Sequence, residues 1–418
     1  MTRAAFALLV CVGVSSAAEP DPKSLAIPPA VAAEAADWVR QLADRQYAER
    51  DEATRELRKL GRLALPTLQE ALATNGNPEV RLRVELLLPA ATAADIRAKV
   101  ECFLADADGK YQHDLPGAKS FFAAVGRAPV AKKLFADIMR SANRDLLVAV
   151  DGPKADLERK YLARRDELNL SANTPIIINR PGVANTTGPT AVDMATLLFA
   201  EAKLPDKGPT VGVGVRNTSL LNNYNFQTML RGMLESDDRK EVLTAVLDVW
   251  MNTREQPQSI YSAISFMNRF NLPNALPAAR KLVSGDVAGG STFYRGFACA
   301  YVSRFGTAAD LPILDGLHDD KGVMTNVFVG GVGNKRHVIQ TRDVALAMSL
   351  LLAKLNPTDY GFTYRYGTSG NSVTLKYNYS AYYFVGDTDE KADEKRTAAF
   401  KKYVAWKATQ PKPPKAKK

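Results

Sequence analysis

Histidine and cysteine are scarce in this chain. Its 418 residues hold three of each: His113, His318 and His337, and Cys11, Cys102 and Cys299. A zinc or iron–sulfur site built from protein ligands needs clustered soft donors, so that class is nearly excluded and no cofactor or metal is expected. His318-Asp319-Asp320 sets three donors in a row, but consecutive residues rarely converge on one ion, and a partly buried histidine at a helix end is the better reading. Asp106-Ala107-Asp108-Gly109 lacks the third acid and the closing glutamate of a calcium loop. There is no Gly-x-Ser-x-Gly elbow, and each histidine stands apart from any serine or cysteine nucleophile in the sequence. Gly330-Gly331-Val332-Gly333-Asn334-Lys335-Arg336 is glycine-rich and basic but lacks the Gly-Lys-Ser/Thr ending of a phosphate loop, so it reads as an inter-repeat loop. No run beyond the N-terminus is long and apolar enough to span a bilayer.

What is present is ordinary globular composition, 46% apolar and 24% charged, which excludes wholesale disorder. Met1-Thr2-Arg3 makes a short positive start, Ala4 to Val14 an uncharged, mostly apolar run, and Ser16-Ala17-Ala18 the small residues a signal peptidase reads. Residues 1–18 are therefore expected to be a secretory signal cut near Ala18, taking Cys11 with it. Val10 stands before Cys11 where a lipidation signal wants a small residue. In an oxidising compartment Cys102 and Cys299 could form a disulfide, or each could be buried separately; their spacing leaves both open.

After a Pro/Ala-rich tether over residues 19–36, helical periodicity begins. Ala53, Leu57 and Leu60 share one face before Gly61, and Leu65, Leu68 and Leu72 share another, with Pro66 near the start of that helix. Asn75-Gly76-Asn77 reads as a turn whose Asn77 caps a helix carrying Val80, Val84 and Leu87. Two short amphipathic helices cannot bury their apolar faces alone, so such a unit implies copies. One lies far downstream. Arg50, Ala53, Leu57, Leu60, Gly61 and Leu65-Pro66-Thr67-Leu68 are echoed by Arg295, Ala298, Val302, Phe305, Gly306 and Leu311-Pro312-Ile313-Leu314, with one inserted residue. Arg81-Leu82-Arg83-Val84 and Arg342-Asp343-Val344-Ala345 are partial echoes. Further stripes predict helices through Val130–Ile138, Leu157–Leu168, Asp238–Asn252, Ile260–Met267 and Leu276–Leu282, with a break at Asn271-Leu272-Pro273.

Two stretches differ. Residues 171–225 are rich in Pro, Gly, Asn and Thr around one short helix, Val192 to Ala200, and Val211, Val213 and Val215 alternate as in a short strand. Residues 360–384 hold nine aromatics, with Thr368-Ser369-Gly370-Asn371 between two alternating runs, which predicts a β-hairpin. The layout is then a signal (1–18), a linker (19–36), an N-terminal helical region (37–170), a loop-rich insertion (171–225), a C-terminal helical region (226–359), an aromatic hairpin (360–386), a final helix (387–410) and a basic tail (411–418).

Trp38-Val39-Arg40-Gln41-Leu42 through Leu88 resembles a HEAT-like repeat. Leu115-Pro116-Gly117 through Leu168, Asp193 through Phe199, and Thr341 through Ala347 on to Asp359-Tyr360-Gly361-Phe362 are similar to exported planctomycete HEAT-repeat proteins. These segments touch most of the mature chain and are packing and turn residues. The resemblance implies an all-α fold, a HEAT-like α-solenoid of stacked helical hairpins defined by Arg50, Gly61, Pro66, Arg295, Gly306, Pro312 and Arg342; it carries over no catalytic residue. The aromatic segment 363–383 departs from that pattern.

The net charge is +10. Residues 387–418 hold ten Lys/Arg against five Asp/Glu, so the body is only mildly basic. Each tail lysine is worth about 1 kcal/mol beside an anionic surface, about 4 kcal/mol for the four, which is weak attraction and not anchorage. Nucleic acid is not an expected partner of an exported chain without a basic helix. The expected function is a non-enzymatic scaffold binding a protein partner in the cell envelope through the long concave face of a solenoid. The alternative is a module for glycan or another envelope polysaccharide, with Tyr364, Tyr366, Tyr377 and Tyr379 as the candidate surface, although alternating tyrosines also pack simply against neighbouring helices. An enzyme with an unrecognised site is the third reading.

Overall fold

The computed structural model describes residues 20–173, 190–206, 234–235, 240–287, 289–329, 335–366, 373–386 and 388–410. The chain is mostly helical with two small antiparallel sheets. It divides into two compact units, residues 1–151 and 152–418, so the boundary falls inside the region 37–170 that the sequence suggested was continuous.

In the first unit the expected tether is ordered structure. Pro22–Leu25 forms a 3-10 turn capped by Asp21, and helix α1 runs from Pro29 to Gln41. Proline at the first helical position costs nothing, because its missing N–H has no partner there anyway, and alanine favours the helix behind it. Helices α2 (Tyr47–Leu60), α3 (Leu65–Thr74) and α4 (Pro78–Ala105) follow. Ala35, Val39, Leu42, Ala53, Leu57, Leu68, Val80, Val84 and Leu87 form one buried core, at roughly 1.5–3 kcal/mol for each fully buried large side chain. Helices α5 (Ala118–Val125), α6 (Pro129–Arg140) and α7 (Arg144–Ala149) build a second core on Phe103, Phe121, Phe122 and Phe135, whose rings lie 5.0–5.9 Å apart.

The second unit holds α8 (Lys154–Asn173), α9 (Ala191–Glu201), α10 (Lys240–Asn252), α11 (Pro257–Arg269), α12 (Leu276–Ser284) and α13 (Thr292–Phe305). Then come α14 (Leu311–Asp315), strands β1 (Val323–Val329) and β2 (Lys335–Gln340), α15 (Thr341–Leu352), β3 (Thr363–Tyr364), α16 (Val373–Lys376), β4 (Tyr382–Tyr383) and α17 (Asp389–Ala408). The short helix expected within 171–225 is α9. Every residue from Asp193 to Glu201 is buried, so it is a core element. Residues 174–189 and 207–225 of that stretch, which include the strand expected at Val211–Val215, and the turn at Thr368–Asn371 lie outside the described residues.

The echoed hairpins show the same local succession. Both α2 and α13 have 14 residues; each is followed by a 3-10 turn and then by a helix opening on Leu-Pro. The matched glycines differ in their reasons. Gly61 has φ +55°, which only glycine adopts readily. Gly306 is extended, but a Cβ there would lie 2.5 Å from the Val302 carbonyl oxygen.

Two corrections concern strands. The expected inter-repeat loop at Gly330–Arg336 ends inside a sheet. β1 and β2 pair antiparallel from Val323↔Gln340 to Val329↔Lys335, with a register irregularity after Val323. This sheet lies in the region 226–359, which had no expected strand. In the aromatic segment, Thr363↔Tyr383 and Tyr364↔Tyr382 are the paired residues, and α16 lies in the chain between them.

Candidate functional site

A groove of about 680 Å³ lies between β2 and the N-terminal turns of α17. Lys335, Arg336, His337, Val338 and Gln340 line it, with Val323 at one end and Phe384, Gly386, Thr388, Asp389, Ala392, Asp393 and Arg396 opposite. A groove over one face of a strand is lined by alternate residues, because successive side chains point to opposite faces. Here four consecutive residues line it, so it runs along the edge of β2. Among the described residues that edge of the two-stranded sheet has no partner strand.

Local sequence chemistry positions both walls. Thr388 caps α17 by accepting the Lys391 N–H. Gln340 and Asp343 form a capping box at the start of α15, in which the Asp343 carboxylate accepts the Gln340 N–H at 2.9 Å. The same carboxylate accepts from Arg396 Nε and Nη2, the latter at 2.9 Å. Asp343 is fully buried and the Arg396 side chain 5% exposed. Burial pushes the Asp343 carboxyl above its ordinary range, and Arg396 opposes that shift. Arg396 also donates to Asp393, which accepts from Arg342 Nη2 at 2.9 Å. Two guanidiniums and two carboxylates thus fasten α17 to the start of α15. Arg396 Nη2 reaches the Val338 carbonyl at 3.5 Å. That contact shows which way the edge faces: strand alternation turns the backbone groups of Val338 and Arg336 toward the groove.

The expected surface does not assemble as one row. Tyr364 lies beside Tyr366 and stacks at 5.1 Å on Tyr382. Tyr377 has the Lys376 ammonium over its ring. Tyr379 packs on Phe293 at 5.4 Å and Phe297 at 6.0 Å. Those two rings also meet Tyr261, which stacks at 5.1 Å with Tyr294. The result is a half-buried cluster of five rings, of which Tyr379 alone was expected.

Among the repeat-defining residues, Arg50 donates to the carbonyls of Asp44 and Arg45 and lies over Tyr47. Pro66 and Pro312 open their helices. Arg295 approaches Asp320 at 3.7 Å, and Arg342 joins the groove network. His318 lies between the rings of Phe400 and Tyr403, its Nε2 3.6 Å from Asp315, and its pKa is pushed down to about 4, chiefly by burial. In the first unit Asp106 accepts the amides of Lys110 and Tyr111 and meets His113 Nε2 at 3.1 Å. Burial opposes ionisation there, but these bonds hold the carboxyl below its ordinary range. The Asp106–Gly109 stretch is thus a turn organised by its own carboxylate. Cys102 and Cys299 are both buried thiols.

Among the described residues no cluster of three or more His, Cys, Asp or Glu could hold a metal ion, and no helix is long and apolar enough to cross a membrane. Sequence reasoning missed the groove because it missed β1 and β2. The signal was there: two β-rich runs, Val323–Val329 and Lys335–Gln340, flank a Gly-rich sequence. Comparison of the chain with protein-family models, with curated proteins and with solved structures finds no match.

Proposed function

We propose that this chain is an exported, non-enzymatic scaffold of HEAT-like stacked hairpins that binds protein partners in the cell envelope. The groove beside β2 is where an extended segment of a partner lies. The observation carrying this reading is the open strand edge walled by a helix. An added strand there gains main-chain hydrogen bonds from β2, while side chains on alternate positions contact the floor and the α17 wall. Val323 and Phe328, 55% and 61% exposed on β1, offer apolar contact close by.

The test is selection of random decapeptides on the purified protein, followed by binding to Val338→Pro. Proline removes one outward N–H, which an edge strand tolerates. Selected peptides that bind wild type and lose at least tenfold on the variant, with circular dichroism unchanged, support strand addition. Equal binding to both refutes it.

A second reading, an envelope-polysaccharide platform, is favoured by the half-buried cluster of Tyr261, Phe293, Tyr294, Phe297 and Tyr379, since aromatic faces stack on sugar rings. Under it, Tyr294→Ala abolishes retention on wall polysaccharide while Val338→Pro leaves it unchanged.

A further inference from the structure

We infer that the peptide received by the groove is acidic, and that His337 is the residue that takes its carboxylate; this rests on the strand-addition reading above. His337 is 7% exposed. Its imidazole packs at 5.5 Å on Tyr383 and lines the groove, yet neither ring nitrogen hydrogen-bonds to a described residue. An imidazole with hydrogen-bonding capacity to spare on the wall of a groove can take a partner that enters it.

The surrounding charge agrees. The described acids on the lining are Asp389 and Asp393. Asp393 is held between Arg342 and Arg396, and the fourth member of that set, Asp343, is satisfied behind it. Asp389 lies in the first turn of α17, where the helix dipole favours a negative charge. Against these, β2 presents Arg336, which spends only its Nε on Asn326, at 2.8 Å. Arg336 and His337 are successive residues and point to opposite faces, so neighbouring side chains of one added strand can engage both.

The experiment uses the full chain and extended decapeptides with alternating Val and Thr, in which Glu, Gln or Lys is walked through the central positions. Affinities are measured by fluorescence anisotropy for wild type, His337→Phe, Arg336→Gln and Val338→Pro. Phenylalanine preserves the ring contact with Tyr383. Expected is at least one position where Glu binds roughly tenfold or more tighter than Gln, as one charge-assisted hydrogen bond gives, with that preference gone in His337→Phe and Gln affinity kept. Equal binding of Glu and Gln peptides, lost in Val338→Pro, overturns the acidic preference and leaves strand addition standing. No binding by any peptide overturns both. Binding of polygalacturonate that needs His337 but ignores Val338→Pro overturns the peptide in favour of an acidic glycan.

Discussion

Acidification should loosen α17, the wall of the groove, through one residue. His318 is 14% exposed at its side chain, and its Nε2 has no hydrogen bond. Burial is the largest cause of its lowered pKa; Asp315 opposes the shift, Lys407 adds to it, and Asp319 opposes it. The folded state therefore keeps His318 neutral from about pH 6.5 down to about 4, whereas the unfolded chain binds a proton across that window. For a base held below its ordinary value, stability is full above pH 6.5 and is lost as pH falls toward 4. A fall from 6.5 to about 4 corresponds to about 3 kcal/mol at most. The contacts at stake belong to α17: Phe400 and Tyr403 flank the imidazole, and Tyr403 donates to Asp315 at 2.9 Å. Hydrogen exchange read by mass spectrometry over residues 389–408, corrected for intrinsic rate, should show the opening free energy falling by that amount between pH 7 and pH 4. In His318→Leu, which removes the orphaned nitrogen, this extra fall should vanish. Parallel pH profiles for variant and wild type would refute the reasoning.

Other outcomes follow from the same geometry. Glu201→Ala strands Arg254, whose Nη1 meets Glu201 at 3.1 Å with both side chains at most 1% exposed, and should cost about 3–5 kcal/mol in urea unfolding; Glu201→Leu with Arg254→Met should recover most of it. Gly117→Ala should lower the melting transition by about 2 kcal/mol or more, because φ is +80° and a Cβ would lie 2.9 Å from the Leu147 carbonyl oxygen. Cys299, fully buried and with its thiol pushed up to about 12 by that burial, should resist dithionitrobenzoate until the protein is unfolded; rapid labelling of the native protein would contradict its placement.

Sequence carried the local elements well and the long-range ones poorly. The bounds of α9 fall within a residue of expectation and those of α17 within two, because their caps are written locally: Thr190 and Asp193 form a capping box, and Thr388 precedes an acidic first turn. The Leu-Pro openings of α3 and α14 are equally local signals. The β1–β2 sheet escaped because its register irregularity after Val323 breaks strict alternation: Met324 and Val327 are buried, while Val323 and Phe328 are exposed. The candidate site escaped for a different reason. Asp343 and Arg396 are 53 residues apart, and nothing near either one announces the other. The tyrosines of 364–379 were visible as a composition, but Tyr379 found its partners on α13, and not beside Tyr364.

The most direct test of the central claim is amide exchange at Val338 and Arg336, followed by NMR on the full chain with and without a selected peptide. Strand addition predicts that both amides, open on the edge of β2 in the free protein, become protected on binding by at least tenfold. A peptide that binds tightly while leaving both exchange rates unchanged would show that the groove does not take a strand.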